Sequence, residues 1–424
     1  MAHLSFERTA TPLVRSSGAV AVHLLIWTAL LLLHPSWSSH LSSFVPSVGP
    51  KRKVSCGSAF QQPRASAAAA AAATVDAVSV ANDKAGSGIS FQEEQITLAG
   101  GLKVPPMGVG AWQWGDSFGY WSYSPDMDPE LQGIFDTCMD SGITLVDTAE
   151  VYGLGKSERL LGNFEKVYLT NTPSEPPREK TKPIVATKFA PLPWRVGRRA
   201  VVEACRDSLA RLGRTQIDLY QIHFPGVWQN EAYWDGLADC YEQGLVRAVG
   251  VSNYGSDMLR KVHAKLAARN VPLATNQIQF SLLYRTPMEE LAVYDTCKEL
   301  NVKILAYSPL AQGLLTGKYS ADDSSNYPKG PRRLLYRRTL PKAAPIIDRL
   351  RILADKYDKQ PAQVALNWCV SKGVIPIPGA SRLRQATSNI GALGWRLTAD
   401  DVAELDTVAK RSNVRYGAGI PLPD

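Results

Sequence analysis

The sequence predicts an α/β fold: a (β/α)8 TIM barrel, led by a β-hairpin and followed by an extra helix and a tail. Three observations carry that prediction. Short apolar runs recur eight times, at residues 107–111, 144–146, 184–187, 217–222, 248–251, 275–279, 303–307 and 374–377. Amphipathic stretches lie between them, at 129–139, 198–212, 233–243, 257–268, 287–300 and 343–357, and strands alternating with helices imply parallel pairing through crossovers. No GxGxxG links an early strand to a helix, as a doubly wound dinucleotide fold would show, and eight units is the number that closes a parallel sheet on itself.

The chain has 424 residues and a formal charge of +8. Residues 1–75 carry six basic side chains and one acid, so the rest of the chain is only +3. That balance argues against a nucleic-acid partner. Arg8 and Arg15 precede an apolar run over 19–33, and prolines and serines follow it. This is the order of a secretory signal, and the run falls short of the ~20 residues of a spanning helix. From Phe44 the chain is basic, rich in Ser and Ala and free of acids through Ala73, the composition of an organelle transit segment. The expected organisation is therefore a signal-like segment over 1–43, a transit-like segment and linker over 44–88, and one domain over 89–424. A bipartite address of this kind implies a plastid stroma, with the secretory pathway as the alternative and no membrane span retained after processing.

In the mature part, residues 89–106 read as a hairpin broken by Gly100 and Gly101. Residues 170–182 and 313–339 read as long loops, and 399–410 as a last helix before the tail. Five widely spaced cysteines (Cys138, Cys205, Cys240, Cys297 and Cys369) form no CxxC pair, which disfavours a disulfide framework or structural zinc. No metal site is expected.

Active sites of parallel barrels stand at the carboxyl ends of the strands. The second strand ends in Asp147, with Tyr152 just beyond; the third ends in Lys188 and the fourth in His223. Singly, a strand-end lysine is usually just solvated and a lone histidine usually a core residue. Their coincidence at equivalent positions points to one mouth.

These residues lie in LVDTAEVYG, VATK, LYQIHFP, VGVSNY, NQIQFSLL, AYSPL and an IPGA segment with a later asparagine. In that order the motifs resemble the aldo-keto reductases, and the resemblance runs from Ile96 to Asp406. It implies NADPH/NADP+ across the mouth of the barrel, and it assigns Asp147, Tyr152, Lys188 and His223 to the family's catalytic tetrad. Tyr152 would deliver a proton to a carbonyl oxygen as hydride reaches the carbon. Lys188 would lower the phenol's pKa, Asp147 would keep Lys188 charged, and His223 would orient the oxygen.

By the same matching, Ser252, Asn253 and Gln277 would hold the nicotinamide amide and Tyr307 would stack on its ring. Ser308, Leu310, Gln312 and Gly313, with Lys318, would line the pyrophosphate. Gly379, Ser381 and Arg382 would take the 2′-phosphate at a helix N-terminus, and Gln385 and Asn389 would reach the adenine. The family's glutamate before that asparagine is Ser388 here. Trp112, Trp114, Trp121, Phe189 and Trp228 are expected to wall a pocket for a small carbonyl substrate. A redox-sensing regulatory subunit on the same barrel is the alternative reading.

Overall fold

Gly100 and Gly101, both at positive φ (88° and 86°), turn the chain back so that β1 (Ile96–Thr97) pairs antiparallel with β2 (Lys103–Val104). Only glycine adopts two such conformations in succession without steric cost. The computed structural model describes residues 94–117, 121–171, 180–328, 331–414, 416 and 422, all within the unit Ser87–Asp424. The expected signal-like and transit-like segments lie outside the described residues.

Beyond the hairpin come β3 (Val109–Gly110), β4 (Leu145–Asp147), β5 (Ile184–Phe189), β6 (Ile217–Ile222), β7 (Val246–Ser252), β8 (Leu273–Gln279), β9 (Lys303–Tyr307) and β10 (Ile375–Pro376). They form one sheet in chain order, every pairing parallel. The seam between first and last closes through the Gly108 N–H donating to Pro376 O at 3.0 Å and the Gly110 N–H donating to Pro378 O at 3.1 Å. A Cβ on Gly108 would lie 2.9 Å from Leu145 O and 3.1 Å from Ile377 Cγ2, so the close approach at the seam requires a glycine. The expected first strand over 107–111 shrinks to the two residues Val109–Gly110.

Side chains alternate across each strand, and this alternation builds the interior in layers. Leu145, Ala186, Leu219, Ala248 and Leu305 form the lowest layer, and Leu98, Leu102 and Val104 of the hairpin close it from below. Two residues further along the same strands stand Asp147, Lys188, Gln221, Gly250 and Tyr307. The polar residues therefore occupy the layer next above the plug, toward the carboxyl ends.

The outer helices follow their caps. Asp128–Asp140 starts with proline in its first turn, and Gly197–Leu212 stops at Gly213 in the left-handed region. Lys156–Thr170, Asn230–Glu242, Ser256–Ala267, Pro361–Ser371, Leu383–Ile390 and Ala399–Ser412 supply the others. Two expectations need correction. The single helix over 287–300 is a short turn, Thr286–Glu289, and a separate helix, Val293–Glu299, split where Ala292 takes φ 50°. The long loop over 313–339 is instead the 3-10 segment Ala311–Thr316, a shorter connection and the first turns of a helix running Pro331–Tyr357. That helix contains Pro341 and Pro345, and its buried side (Tyr336, Leu340, Ala343, Ile347, Leu350) outweighs the lost backbone bonds.

Candidate active site

Asp147 and Lys188 end adjacent strands on the same inner face. Lys188 Nζ donates to Asp147 Oδ1 at 2.6 Å and to Thr148 O at 2.8 Å. Gln277 Nε2 donates to the other carboxylate oxygen, Oδ2, at 2.7 Å. Both charges are almost wholly buried, at 0% and 3% side-chain exposure, so the pair stands on those hydrogen bonds rather than on solvent. Burial pulls Lys188 below the ordinary lysine value, and the carboxylate of Asp147 opposes that shift.

Tyr152 lies directly over this pair. Lys188 Nζ is 5.1 Å from the centroid of its ring, and the His223 ring meets it edge-on at 5.7 Å and 78°. Trp112 covers it from the mouth at 6.3 Å and is itself met edge-on by Trp121 at 5.8 Å. Left-handed backbone at Gly153 and Leu154 folds the chain sharply after the tyrosine, returning it to helix Lys156–Thr170. The four residues from three strand ends thus converge, as the sequence pattern requires.

The phenol of Tyr152 is raised well above its usual value, first by burial and then by the nearby Asp147 carboxylate, while the Lys188 ammonium stands against its ring. His223 is shifted the other way: burial, then the Lys188 charge, keep the imidazole neutral well below its usual range. Its Nδ1 is buried without a hydrogen-bond partner. A neutral ring edge-on to a protonated phenol offers N–H and O–H donors of the kind a carbonyl oxygen accepts from.

The next strand ends form a polar ladder. Ser252 Oγ donates to Gln277 O at 2.7 Å, and Asn253 Nδ2 donates to Ser252 Oγ at 3.0 Å and to His223 O at 3.1 Å. Tyr307 OH donates to Asn253 Oδ1 at 3.0 Å. Asn253 sits at φ 62°, a conformation that asparagine tolerates better than most side chains. Gln277 gives one amide N–H to Asp147 and keeps a second N–H and its carbonyl oxygen. The turn after β9 carries Ser308, Gln312 and Gly313 at φ 51°, 54° and 102°, with Leu310 half-buried and Lys318 exposed. Tyr336 OH donates to Gln312 O at 2.8 Å, tying helix Pro331–Tyr357 to that turn.

Across the seam, Gly379 and Ser381 lead into helix Leu383–Ile390, with Arg382 as its N-cap and Asn389 buried near its end. Gln385 Oε1 accepts from the N–H groups of Ser381 and Arg382 at 2.8 and 3.1 Å. Arg382 and the Leu383 N–H also hold the carboxylate of Glu130. An anion therefore already rests on the helix N-terminus, and this shows that the cradle suits one.

Of the five expected pocket walls, Trp112 packs on Tyr152 and Trp121 on Trp112, and Trp228 is 49% exposed on the loop after β6. Trp114 and Phe189 are not walls. Trp114 is fully buried against Phe164 and donates from Nε1 to Ala380 O at 2.9 Å. Phe189 is fully buried between Tyr233 and Arg195. The alternation of β5 that turns Lys188 inward turns Phe189 outward, under the helices. Sequence reading missed Thr148, whose carbonyl steadies Lys188, and Glu130, which acts across 252 residues of chain. Among the described residues no cluster of three or more His, Cys, Asp or Glu could hold a metal ion.

Residues 106–410 match the model of the aldo/keto reductase family. The chain is similar to the chloroplastic pyridoxal reductase of Arabidopsis thaliana, 45% identical over 76% of this chain and 88% of that protein. It is 35% identical to an uncharacterized oxidoreductase of Mycobacterium tuberculosis, over 73% of this chain and 90% of that one. Among solved structures it resembles a glycerol dehydrogenase from Gluconobacter oxydans (TM-score 0.60, 27% identity, 76% of this chain and 96% of that one). It also resembles a Bombyx mori aldo-keto reductase solved with NADP (TM-score 0.56, 25% identity, 74% and 92% covered).

Proposed function

The chain belongs to the aldo/keto reductase family, and from that premise we propose that it reduces an aldehyde to an alcohol with NADPH, the proton coming from Tyr152. The observation that carries the reading is the buried phenol held between the Lys188 ammonium and the neutral His223 ring. Bound NADPH supplies the hydride that the carbonyl carbon receives. Ser252, Asn253 and Tyr307 would hold its nicotinamide end, and the turn Ser308–Gly313 with Arg382 its phosphates.

The chain's own residues do the rest. His223 and the Tyr152 hydroxyl direct the carbonyl oxygen, and water is kept off by Trp112 and Trp121. A phenol raised above its usual pKa keeps its proton at neutral pH until the substrate oxygen takes on alkoxide character, which is basic enough to remove it. The phenolate left behind faces Lys188, whose charge stabilises it. Asp147 and Gln277 fix the lysine in place and contact no substrate.

The aromatic mouth suits a flat ring. We read a pyridoxal-like aromatic aldehyde as the substrate class, supported by the activity in the name of the Arabidopsis relative. The same relative supports a plastid as the site of action. No described helix is long and apolar enough to cross a membrane.

The test follows NADPH absorbance with pyridoxal and a panel of aldehydes. Tyr152→Phe is expected to lower kcat by about 10²–10⁴-fold with NADPH affinity unchanged. Unchanged turnover in that variant would remove Tyr152 as donor. A single slow oxidation without steady state in the wild type would favour the redox-sensing alternative.

A further inference from the structure

The donors expected to receive a 2′-phosphate are already occupied by this chain's own oxygens. Gln385 takes two backbone amides. Glu130, in helix Asp128–Asp140, takes the strongest positions: its Oε2 accepts from Arg382 Nη1 at 2.6 Å and its Oε1 from the Leu383 N–H at 3.1 Å. A guanidinium and the first amide of a helix are what an anion seeks. The hydrogen bond from Arg382 holds Glu130 below the usual carboxylate range, so it is ionised at neutral pH.

We propose that Glu130 is a specificity-determining residue for coenzyme choice: a resident carboxylate that a 2′-phosphate must displace from Arg382 and Leu383, and that a 2′-hydroxyl need not. The inference rests on the reading that NADPH binds across this mouth. A phosphate entering beside Glu130 meets a like charge and loses part of the attraction of Arg382. A ribose hydroxyl is a donor, and a carboxylate accepts from it, as the acidic residue of dinucleotide-binding folds does. Glu130 thus narrows the preference for NADPH that Arg382 alone would create. It does not abolish it, because the two side chains are 35% and 53% exposed and can part without unfolding anything.

The experiment measures Kd for NADPH and NADH on the full chain by coenzyme fluorescence, for wild type, Glu130→Gln, Arg382→Ala and the double variant. Glu130→Gln is expected to tighten NADPH by about two- to fivefold, the scale of a partly exposed ion pair, and to leave NADH unchanged or weaker. Arg382→Ala weakens NADPH and removes most of the effect of Glu130→Gln. NADPH binding that is unchanged or weaker in Glu130→Gln overturns the proposal and makes Glu130 a mere support for Arg382. Equal tightening of both coenzymes overturns it too. A wild-type chain that binds neither coenzyme overturns the parent reading, and this one with it. Binding of NADPH by wild type with no response to Glu130→Gln overturns this one alone.

Discussion

At the scale of single residues, the site is a buried ion pair kept for chemistry at the expense of stability. Lys188 and Asp147 have given up solvent almost completely, and three hydrogen bonds, from Lys188 to Asp147 and Thr148 and from Gln277, are their compensation. Lys188→Met leaves the Asp147 carboxylate buried with only Gln277 beside it, a loss expected at about 3–5 kcal/mol. Adding Asp147→Asn removes the orphaned charge while keeping an acceptor for Gln277, so the double variant should recover most of that loss yet remain inactive. Urea unfolding of the three proteins measures this. A single variant as stable as wild type would mean that the pair is solvated, against the geometry. The residues themselves were legible in sequence because strand ends and period-two alternation fix which side chains face inward. The raised phenol of Tyr152 was not, since it follows from burial together with the charges of Asp147 and Tyr307 beside it, and no local pattern encodes that tertiary surrounding.

At the scale of elements, legibility followed periodicity. All eight barrel strands were found because fully buried parallel strands read as apolar runs. Helix Pro331–Tyr357 was read too short because Pro341 and Pro345 are local breakers, whereas its buried face is a tertiary fact. The last helix, Ala399–Ser412, shows a further feature that sequence hid. Its Asp401 is nearly buried and accepts from Lys356 Nζ at 2.8 Å, from Thr398 Oγ1 at 2.7 Å and from the Tyr357 hydroxyl, binding the helix to the end of Pro331–Tyr357. Burial pushes this carboxyl up, but those donors outweigh it and hold it at about 2, against an ordinary 3.8. A depressed carboxyl contributes stability above its unfolded value and loses it as the pH falls. The contribution should therefore be complete above about pH 4 and vanish toward pH 2. Asp401→Asn is expected to cost on the order of 2 kcal/mol at neutral pH and to flatten that part of the acid unfolding curve. An unchanged curve would detach Asp401 from the stability of the helix.

At the scale of the whole molecule, the barrel needs its bottom closed before its top can work. The layer that supports Asp147 and Lys188 rests on Leu145 and Ala186, and those rest on Leu98, Leu102 and Val104 of the hairpin. We place the functional boundary of the domain just before that hairpin, near residue 88, with the signal-like and transit-like segments before it serving only as address. Two truncations separate the roles. A chain lacking residues 1–88 keeps the hairpin, and its Tm and kcat should equal those of the full chain. A chain lacking residues 1–102 loses Leu98 and Leu102, each worth about 1.5–3 kcal/mol of burial, and opens the floor beneath the site to water. Its stability should fall by about the sum of the two, and activity should fall further than stability, because the lysine pair depends on a dry floor. N-terminal sequencing of the native protein supplies the third arm, with a start expected between residues 44 and 88. A native start beyond Leu102, or a first truncation that unfolds, would show that the barrel begins elsewhere than its floor implies.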